Sequence, residues 1–302
     1  LTGTNTYTGN TTISAGSLTV GAYSSLGYGT YDGNIVNDGN FVFNGSSVQT
    51  LSGVISGNGS LTQSGTGALI LTGNNTYTGG TAISAGTLSL GSGGALGTTG
   101  TISLSGGTLQ YSGNNTADYS SRFSAASNQQ YRIDTNGQTV TYASALSSFG
   151  GSLTKLGDGT LVLTGTNTYT GNTTIIGSSG SSGITGVVIG GAGSLGSGSY
   201  AGSITNDGAL VFSTSANQTL SGVISGNGGL TKDGSGTLTL NGTNSFLGGA
   251  YLTAGTLSLG SAGALGTTGT ISLSGGTLQY SANNTTDYSN RFSAADNQQY
   301  RI

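Results

Sequence analysis

The sequence predicts an all-β fold, a parallel β-helix in which the chain winds into stacked coils. Three observations predict it: long internal repetition, short runs of alternating apolar and polar residues, and a glycine-rich turn after most of these runs. The segment 85–133 recurs almost unchanged as 254–302, and the two copies differ at five positions. An array of this fidelity indicates interchangeable structural units rather than one active site.

Apolar residues fall on one face of short predicted strands, as in Ile102–Leu104, Leu109–Tyr111 and Phe41–Phe43. Glycine-containing turns such as SGG, GNG and NDG separate these strands. One coil buries too few apolar side chains to fold alone, so neighbouring coils must close the core. At about 20–25 residues per coil, the chain is expected to form roughly 12–15 coils. Disorder is the alternative reading of so much Gly and Ser, but regular alternation favours strands.

The repetition predicts one continuous solenoid over residues 1–302, without end caps of its own. A shorter motif, LTG-x-N-T-Y-T-G, lies inside the long period at 1–9, 71–79, 163–171 and, in a diverged form, 240–248. The spacing between its first and third copies is slightly shorter than the long period. The difference indicates an insertion near Gly177–Gly186, which is rich in Gly and Ser and reads as a surface loop.

Composition narrows the possible functions. Charged residues make up 5% of the chain, the net charge is −3, and His, Cys and Glu are absent. Six Lys and Arg give no basic surface for nucleic acid. No apolar run reaches the roughly 18 residues that cross a bilayer, so this segment is not expected to insert into a membrane. Zero Cys excludes disulfides and thiolate metal sites, and we expect neither a cofactor nor a metal.

The short motif defines a repeated corner in which an Asn is followed two positions later by an aromatic ring. The corner residues are Asn5 and Tyr7, Asn75 and Tyr77, Asn167 and Tyr169, and Asn244 and Phe246. Asn amides at a coil corner can form hydrogen bonds along the stack, and rings can pack on one another. Because the copies are several predicted coils apart, they indicate a repeated corner rather than a continuous ladder.

The least repetitive-looking part of the unit is Gly113–Thr135. If the fold has a ligand-contact patch, we place it here, on Tyr119, Arg122, Tyr131 and Arg132. Asp118 and Arg122 are spaced i, i+4, and Asp287 and Arg291 repeat them. A carboxylate pair of this kind could cleave glycans, but an ion pair in a loop is the simpler reading.

The run NTYTGGT followed by AISAGTLSLG, over residues 75–91, resembles the autotransporter-associated β-strand repeat, also called the passenger-associated transport repeat. The resemblance recurs at all four corner motifs, with Phe246 and Leu247 departing from the pattern in the fourth. It implies a right-handed parallel β-helix from a bacterial surface protein. It implies no shared catalytic residues.

The resulting prediction is a structural protein, a stalk, fibre or matrix element that is extracellular or on the bacterial cell surface, and not an enzyme. Its expected partners are copies of itself, which could join into filaments, or other surface and matrix components. A glycan-binding adhesin is the alternative. A polysaccharide-cleaving β-helix that uses Asp118 and Asp287 is the third possibility.

Overall fold

A computed structural model describes residues 1–177 and 184–302. The chain divides into two compact units, Leu1–Gln138 and Thr139–Ile302. Each unit is built from short parallel β-strands. Among the described residues the helical elements are four 3₁₀ turns, at Gly27–Gly29, Ser120–Arg122, Gly196–Gly198 and Ser289–Arg291.

The first unit contains sixteen strands. They are β1 (Thr4–Asn5), β2 (Thr11–Ile13), β3 (Ser17–Val20), β4 (Ser25–Leu26), β5 (Thr30–Tyr31), β6 (Ile35–Asn37), β7 (Asn40–Phe43), β8 (Gln49–Leu51), β9 (Ile55–Ser56), β10 (Ser60–Gln63), β11 (Ala68–Leu71), β12 (Thr81–Ile83), β13 (Thr87–Leu90), β14 (Ile102–Leu104), β15 (Thr108–Gln110) and β16 (Gln130–Asp134).

The described residues of the second unit contain eighteen strands. They are β17 (Thr139–Tyr142), β18 (Ser152–Leu156), β19 (Thr160–Leu163), β20 (Thr166–Asn167), β21 (Thr173–Ile175), β22 (Gly186–Gly191), β23 (Ser194–Leu195), β24 (Ser199–Tyr200), β25 (Ile204–Asn206), β26 (Ala209–Thr214), β27 (Gln218–Leu220), β28 (Ile224–Ser225), β29 (Gly229–Lys232), β30 (Thr237–Leu240), β31 (Ala250–Leu252), β32 (Thr256–Leu259), β33 (Ile271–Leu273) and β34 (Thr277–Tyr280).

Most strands of the first unit pair with the equivalent strands of the neighbouring coils. The sheet β3-β7-β10-β12-β14 is typical: Leu61 pairs with Phe41 in the coil before it and with Thr81 in the coil after it. A second face runs β5-β8-β11-β13-β15-β16, and a third runs β2-β6-β9. This arrangement confirms the predicted β-solenoid.

The second unit repeats the same design. Its described strands form the ladders β17-β19-β22-β26-β29-β31-β33, β24-β27-β30-β32-β34 and β18-β21-β25-β28. Over both units the described strands make about 13 coils, within the predicted range. The handedness, the absence of caps and the single continuous solenoid over 1–302 stay predictions.

The insertion in the second unit lengthens one coil. Thr173 pairs with Ile204, and Ile204 in turn pairs with Ile224, so the first of these two coils is the longer. The predicted loop Gly177–Gly186 includes residues 178–183, which lie outside the described part of the chain. Its last residue is not in a loop: Gly186 is buried and begins β22. The ladder therefore resumes sooner than the sequence predicted, because Gly186 pairs with Thr160 one coil earlier.

Inward-facing side chains of successive coils stack on one another. Leu69, Leu88, Leu109 and Ile133 are register partners in four consecutive strands, and each is completely buried. Burying a Leu or Ile side chain contributes about 1.5–3 kcal/mol. Each of these side chains is covered only because the next coil is in register, so the core depends on stacking.

Glycine allows the corners of successive coils to approach closely. Gly65 lies directly against the coil before it, and a Cβ at this position would overlap the carbonyl oxygen of Gly45. Gly113, in contrast, has no atom within 4 Å of such a Cβ. The equivalent residue in the second unit is Ala282, so the backbone at Gly113 accepts a side chain.

We expect Gly65→Ala to destabilise the protein by about 1–3 kcal/mol or more, because the neighbouring backbone must move apart. Gly113→Ala is the matched control, and it should be neutral or stabilise the fold by up to about 1 kcal/mol. Urea denaturation followed by circular dichroism measures both. Equal midpoints for the two variants would show that the coils are not packed this closely.

Candidate functional site

The corner Asn side chains connect each coil to its two neighbours. The Asn75 Oδ1 accepts a hydrogen bond from the Ile55 backbone N–H at 2.7 Å, and its Nδ2 donates to the Ala95 carbonyl at 2.6 Å. One partner belongs to the coil before Asn75 and the other to the coil after it. Asn244 makes the same two bonds, at 2.8 and 2.7 Å, in the second unit. A buried amide thus continues the ladder where the backbone turns.

Asn167 binds both neighbouring coils in the same way, and Asn5 binds the coil that follows it. Asn167 accepts from the Leu146 N–H at 3.0 Å and donates to the Ser194 carbonyl at 3.1 Å. Asn5 donates to the Ser25 carbonyl at 3.2 Å. All four Asn side chains therefore bond to main-chain groups of adjacent coils, not to one another.

The aromatic ring of the corner has a fixed polar partner four positions later. The Tyr77 hydroxyl and the Thr81 Oγ1 are 2.8 Å apart, and both side chains are buried. In the fourth copy both members change together, to Phe246 and Ala250. A buried hydroxyl without a hydrogen-bond partner is costly, whereas two apolar groups in contact are not. The paired change therefore leaves no buried hydroxyl unpaired at this position. The equivalent pairs in the remaining copies are Tyr7 with Thr11, at 2.9 Å, and Tyr169 with Thr173, at 2.7 Å.

Burial raises the pKa of the Tyr77 and Tyr169 phenols. Desolvation raises the pKa of Tyr77 to about 12, and it raises the pKa of Tyr169 well above its usual value. In this part of the second unit Tyr200 approaches from the next coil, packs edge to face on Tyr169 and shares the Thr173 hydroxyl at 2.8 Å. Burial raises the pKa of Tyr200 to about 12. The corner is therefore a packed, neutral structure rather than a set of proton-transfer groups.

Buried cations stabilise another turn. Lys155 and Lys232 are almost fully buried, and each ammonium donates to carbonyls of the turn that follows its strand. Desolvation lowers the pKa of Lys232. Gln63 takes the equivalent place in the first unit, where its Nε2 donates to Gly65 and Gly67. Sequence reasoning missed these residues, because a Lys on a short strand normally points to solvent.

The Arg of the Gly113–Thr135 segment also binds the main chain. The Arg122 guanidinium donates to a cluster of carbonyls in the preceding coil and lies 5.7 Å from the centre of the Tyr119 ring. Its acceptors are the carbonyls of Gly100, Gly97, Leu96 and Thr99. Arg291 repeats this arrangement on Gly269, Gly266, Leu265 and Thr268. The fork geometry and permanent charge of Arg suit this multiple capping.

The structure places the predicted ligand-contact residues as follows. Tyr119 is 7% exposed, and Tyr131 is completely buried, with its hydroxyl donating to the Ser124 carbonyl at 3.1 Å. Arg122 is held by the carbonyls described above, and Arg132 lies on β16, paired with Thr108. The patch stays a prediction, and both of its rings are buried.

The two acidic residues that sequence analysis considered for chemistry cap turns. The Asp118 and Asp287 Oδ1 atoms accept hydrogen bonds from the N–H groups of Ser120 and Ser289, each at 2.8 Å. This backbone bond lowers the pKa of Asp287. A cavity of about 330 Å³ lies beside it, with Tyr288 and Arg291 in its wall. A carboxylate held ionised in this way is poorly suited to donate a proton to a glycosidic oxygen.

Two surface turns at equivalent positions of the long repeat differ in the side chains that they expose, which the sequence patterns did not predict. We call residues 21–31 platform 1 and residues 190–200 platform 2; the second is the copy of the first in the long repeat. Platform 1 exposes Tyr23 and Tyr28, whereas platform 2 has Ala192 and Ser197 at these positions. Comparing the two copies position by position over their whole length would have found the difference.

Neither metal nor membrane sites stand out in the described residues. They contain no group of three or more His, Cys, Asp or Glu that could hold a metal ion. None of their helical turns has the length and apolar character needed to span a bilayer.

The sequence profile of the passenger-associated transport repeat matches residues 1–20, 61–90, 153–177 and 230–259. Each matched segment contains one of the four corner motifs. Four segments of the chain therefore match the passenger-associated transport repeat, and the resemblance predicted from the motif is confirmed.

A segment of 72 residues is 46% identical to the protein "Adhesin BmaC autotransporter" of Brucella suis biovar 1 (strain 1330). The segment is 24% of this chain and 2% of that protein, so the two share a small stretch of a much longer relative. No solved structure matches the chain.

A double-mutant cycle tests the polar pair in the corner. Thr81→Ala alone removes the side-chain partner of the Tyr77 hydroxyl and should cost about 1–3 kcal/mol of unfolding free energy. Adding Tyr77→Phe recreates the Phe246 and Ala250 combination, and the double variant should lose no more stability than the single one. Urea unfolding gives the free energies of the wild type, the two single variants and the double variant. Strictly additive losses would mean that the two hydroxyls do not act as a pair.

The buried phenols predict alkaline destabilisation. The folded-state pKa values of Tyr77 and Tyr200 lie near 12, whereas a Tyr in the unfolded chain ionises near 10. Between these values the unfolded chain loses protons that the folded protein keeps, so stability falls as pH rises, by about 2–3 kcal/mol for each ring. The pKa of Lys232 is lowered in the folded protein, so its contribution to the free energy of unfolding rises with pH.

Urea midpoints should therefore be steady up to about pH 9 and fall between about pH 10 and 12. The Tyr77→Phe variant is the control, and its midpoint should fall less over the same range. A wild-type midpoint that stays constant throughout this range would contradict the burial of these hydroxyls.

Proposed function

We propose that this chain is part of the extracellular passenger of a bacterial surface protein and acts there as a non-enzymatic structural scaffold of an adhesin. The observation that carries this proposal is the repeated Asn corner, which bonds to adjacent coils in every copy and coincides with the passenger-associated transport repeats. The shared segment with an autotransporter named as an adhesin supports the same class.

The side-chain types that most often carry catalysis form hydrogen bonds to the main chain in this protein. Arg122, Arg291, Lys155 and Lys232 all donate to backbone carbonyls. The Asp287 carboxylate caps a turn and has a lowered pKa. These roles support a structural function more than polysaccharide cleavage by Asp118 and Asp287.

Self-association into filaments belongs to the same proposal. Charged residues are only 5% of the chain, so little electrostatic repulsion keeps copies apart. Several large apolar side chains are exposed, with Phe149 at 75% and Leu247 at 54%. Such side chains can be buried between copies without disturbing the coils.

Surface location is tested on intact cells that produce the protein. An antibody raised against this chain should label unpermeabilised cells, and external protease should remove the label while a cytoplasmic control protein survives. Labelling that requires permeabilisation would refute the proposal.

Self-association is tested with the purified chain. Sedimentation velocity and negative-stain electron microscopy should show oligomers that grow with concentration and persist at high salt, since screening removes repulsion but not apolar contact. Phe149→Ser and Leu247→Thr should weaken them; the second change restores the residue of the other corner copies. Dispersed monomers at every concentration would refute self-association into filaments but would not contradict the scaffold role.

A further inference from the structure

Platforms 1 and 2 share the backbone of their second part, residues 25–31 and 194–200. Their first residues differ, because Gly191 ends β22 with a φ of 61° whereas Ala22 lies in a turn. Tyr28 and Ser197 occupy the same place in a 3₁₀ turn and share a left-handed φ, 54° and 53°. In each platform the preceding strand pairs with an Asn corner one coil earlier, through Leu26 on Asn5 and Leu195 on Asn167. The two turns are therefore built alike.

The same side-chain clamp holds both platforms. The Gln49 Oε1 accepts from the Leu26 N–H at 2.8 Å, and its Nε2 donates to the Leu26 carbonyl at 3.1 Å. Gln218 makes the equivalent bonds to Leu195, at 2.7 and 3.0 Å. Because both Gln side chains are buried, each turn is fixed from below by the next coil.

The platforms differ in what they expose. Tyr23 is 90% exposed, Tyr28 77% and the adjoining Val48 57%. Their counterparts on platform 2 are Ala192, Ser197 and Asn217. Since the same 3₁₀ turn forms with Ser197, the exposed Tyr28 ring is not required for that turn. Tyr28 moreover keeps a bulky side chain at a φ that such residues rarely adopt.

We propose that platform 1 is a contact site for a neutral carbohydrate, with the Tyr23 and Tyr28 rings as the binding residues. The electron-rich face of an aromatic ring attracts the C–H bonds that a pyranose presents on its less polar face. Thr30 follows Tyr28 by two positions and Ser47 precedes Val48; both are exposed, and their hydroxyls can bind sugar hydroxyls. This inference rests on the proposed place of the chain in an adhesin and names a ligand class for it.

The charge of the surroundings selects among ligands. Residues 21–31 and 44–50, which form platform 1 and the adjoining segment of the next coil, contain no charged side chain. A sialylated, sulfated or phosphorylated ligand would find no Lys or Arg there to bind its anionic group. Tyr rings with polar neighbours also suit a partly hydrated sugar better than a wholly apolar partner.

The chain provides its own matched variants. Tyr23→Ala with Tyr28→Ser gives platform 1 the residues that platform 2 has at these two positions, and Ala192→Tyr with Ser197→Tyr does the reverse. Both variants should keep the wild-type circular dichroism spectrum and thermal midpoint, because positions 28 and 197 share one turn backbone and positions 23 and 192 are both exposed. Loss or gain of binding then reports on the rings themselves.

The probe is an array of neutral oligosaccharides with terminal galactose, glucose or mannose, printed beside sialylated and sulfated counterparts; the best neutral binder is then titrated in solution. We expect saturable binding of one equivalent. The first variant should weaken it by about five- to a hundredfold, from the two lost rings. The second variant should bind two equivalents.

Three results would overturn the inference. They are a neutral array without saturable binding, binding restricted to anionic glycans, and an affinity that the first variant leaves unchanged. A first variant that lowers self-association in sedimentation but not sugar binding would assign platform 1 to contacts between copies instead. A flat array leaves the surface location measured on cells unaffected, so the two proposals fail separately.

Discussion

The parallel ladder between neighbouring coils is the constraint on which this protein depends. It sets the coil length, and it covers each row of Leu and Ile with the next row. Where the backbone turns and the ladder would stop, Asn75 and its counterparts substitute an amide for the missing main-chain bonds. Gly65 and similar residues let adjacent corners meet. Core stacking, the Asn hydrogen bonds at the corners and the close Gly contacts thus all serve to keep neighbouring coils in register.

This requirement explains why so few side chains remain for chemistry. The buried Lys ammonium groups and the Arg guanidinium groups satisfy turn carbonyls that the ladder does not reach. Residues that carry catalysis in other proteins are used here to close the ends of strands. A protein built this way gains functions on its outer turns, which vary while the coils stay the same, as platforms 1 and 2 do.

Period-two patterns, Gly turns and the long internal repeat were sufficient to predict the solenoid and its coil length. They could not reveal that Tyr119 and Tyr131 are buried, because the segment that carries them is held against the preceding coil, where the Arg122 guanidinium packs on the Tyr119 ring. The Tyr77 and Thr81 pair was readable in principle, since both members change together in the fourth copy. The exposure of Tyr28 needed the structure, because only the positive φ and the Gln49 clamp distinguish it from a core ring.

The register of the coils is tested most directly by disulfide trapping. The chain has no native Cys, so an introduced Cys can pair only with another introduced Cys. Thr62 and Ala82 are Cα partners in adjacent coils, and Ser103 is the partner of Ala82 one coil further on. Parallel neighbours lie about 4.8 Å apart, within the range that a disulfide spans, whereas two coils are about twice as far apart. Mild oxidation should cross-link Thr62→Cys with Ala82→Cys in the monomer but not Thr62→Cys with Ser103→Cys. Equal cross-linking of both pairs, or of neither, would contradict the stacked solenoid.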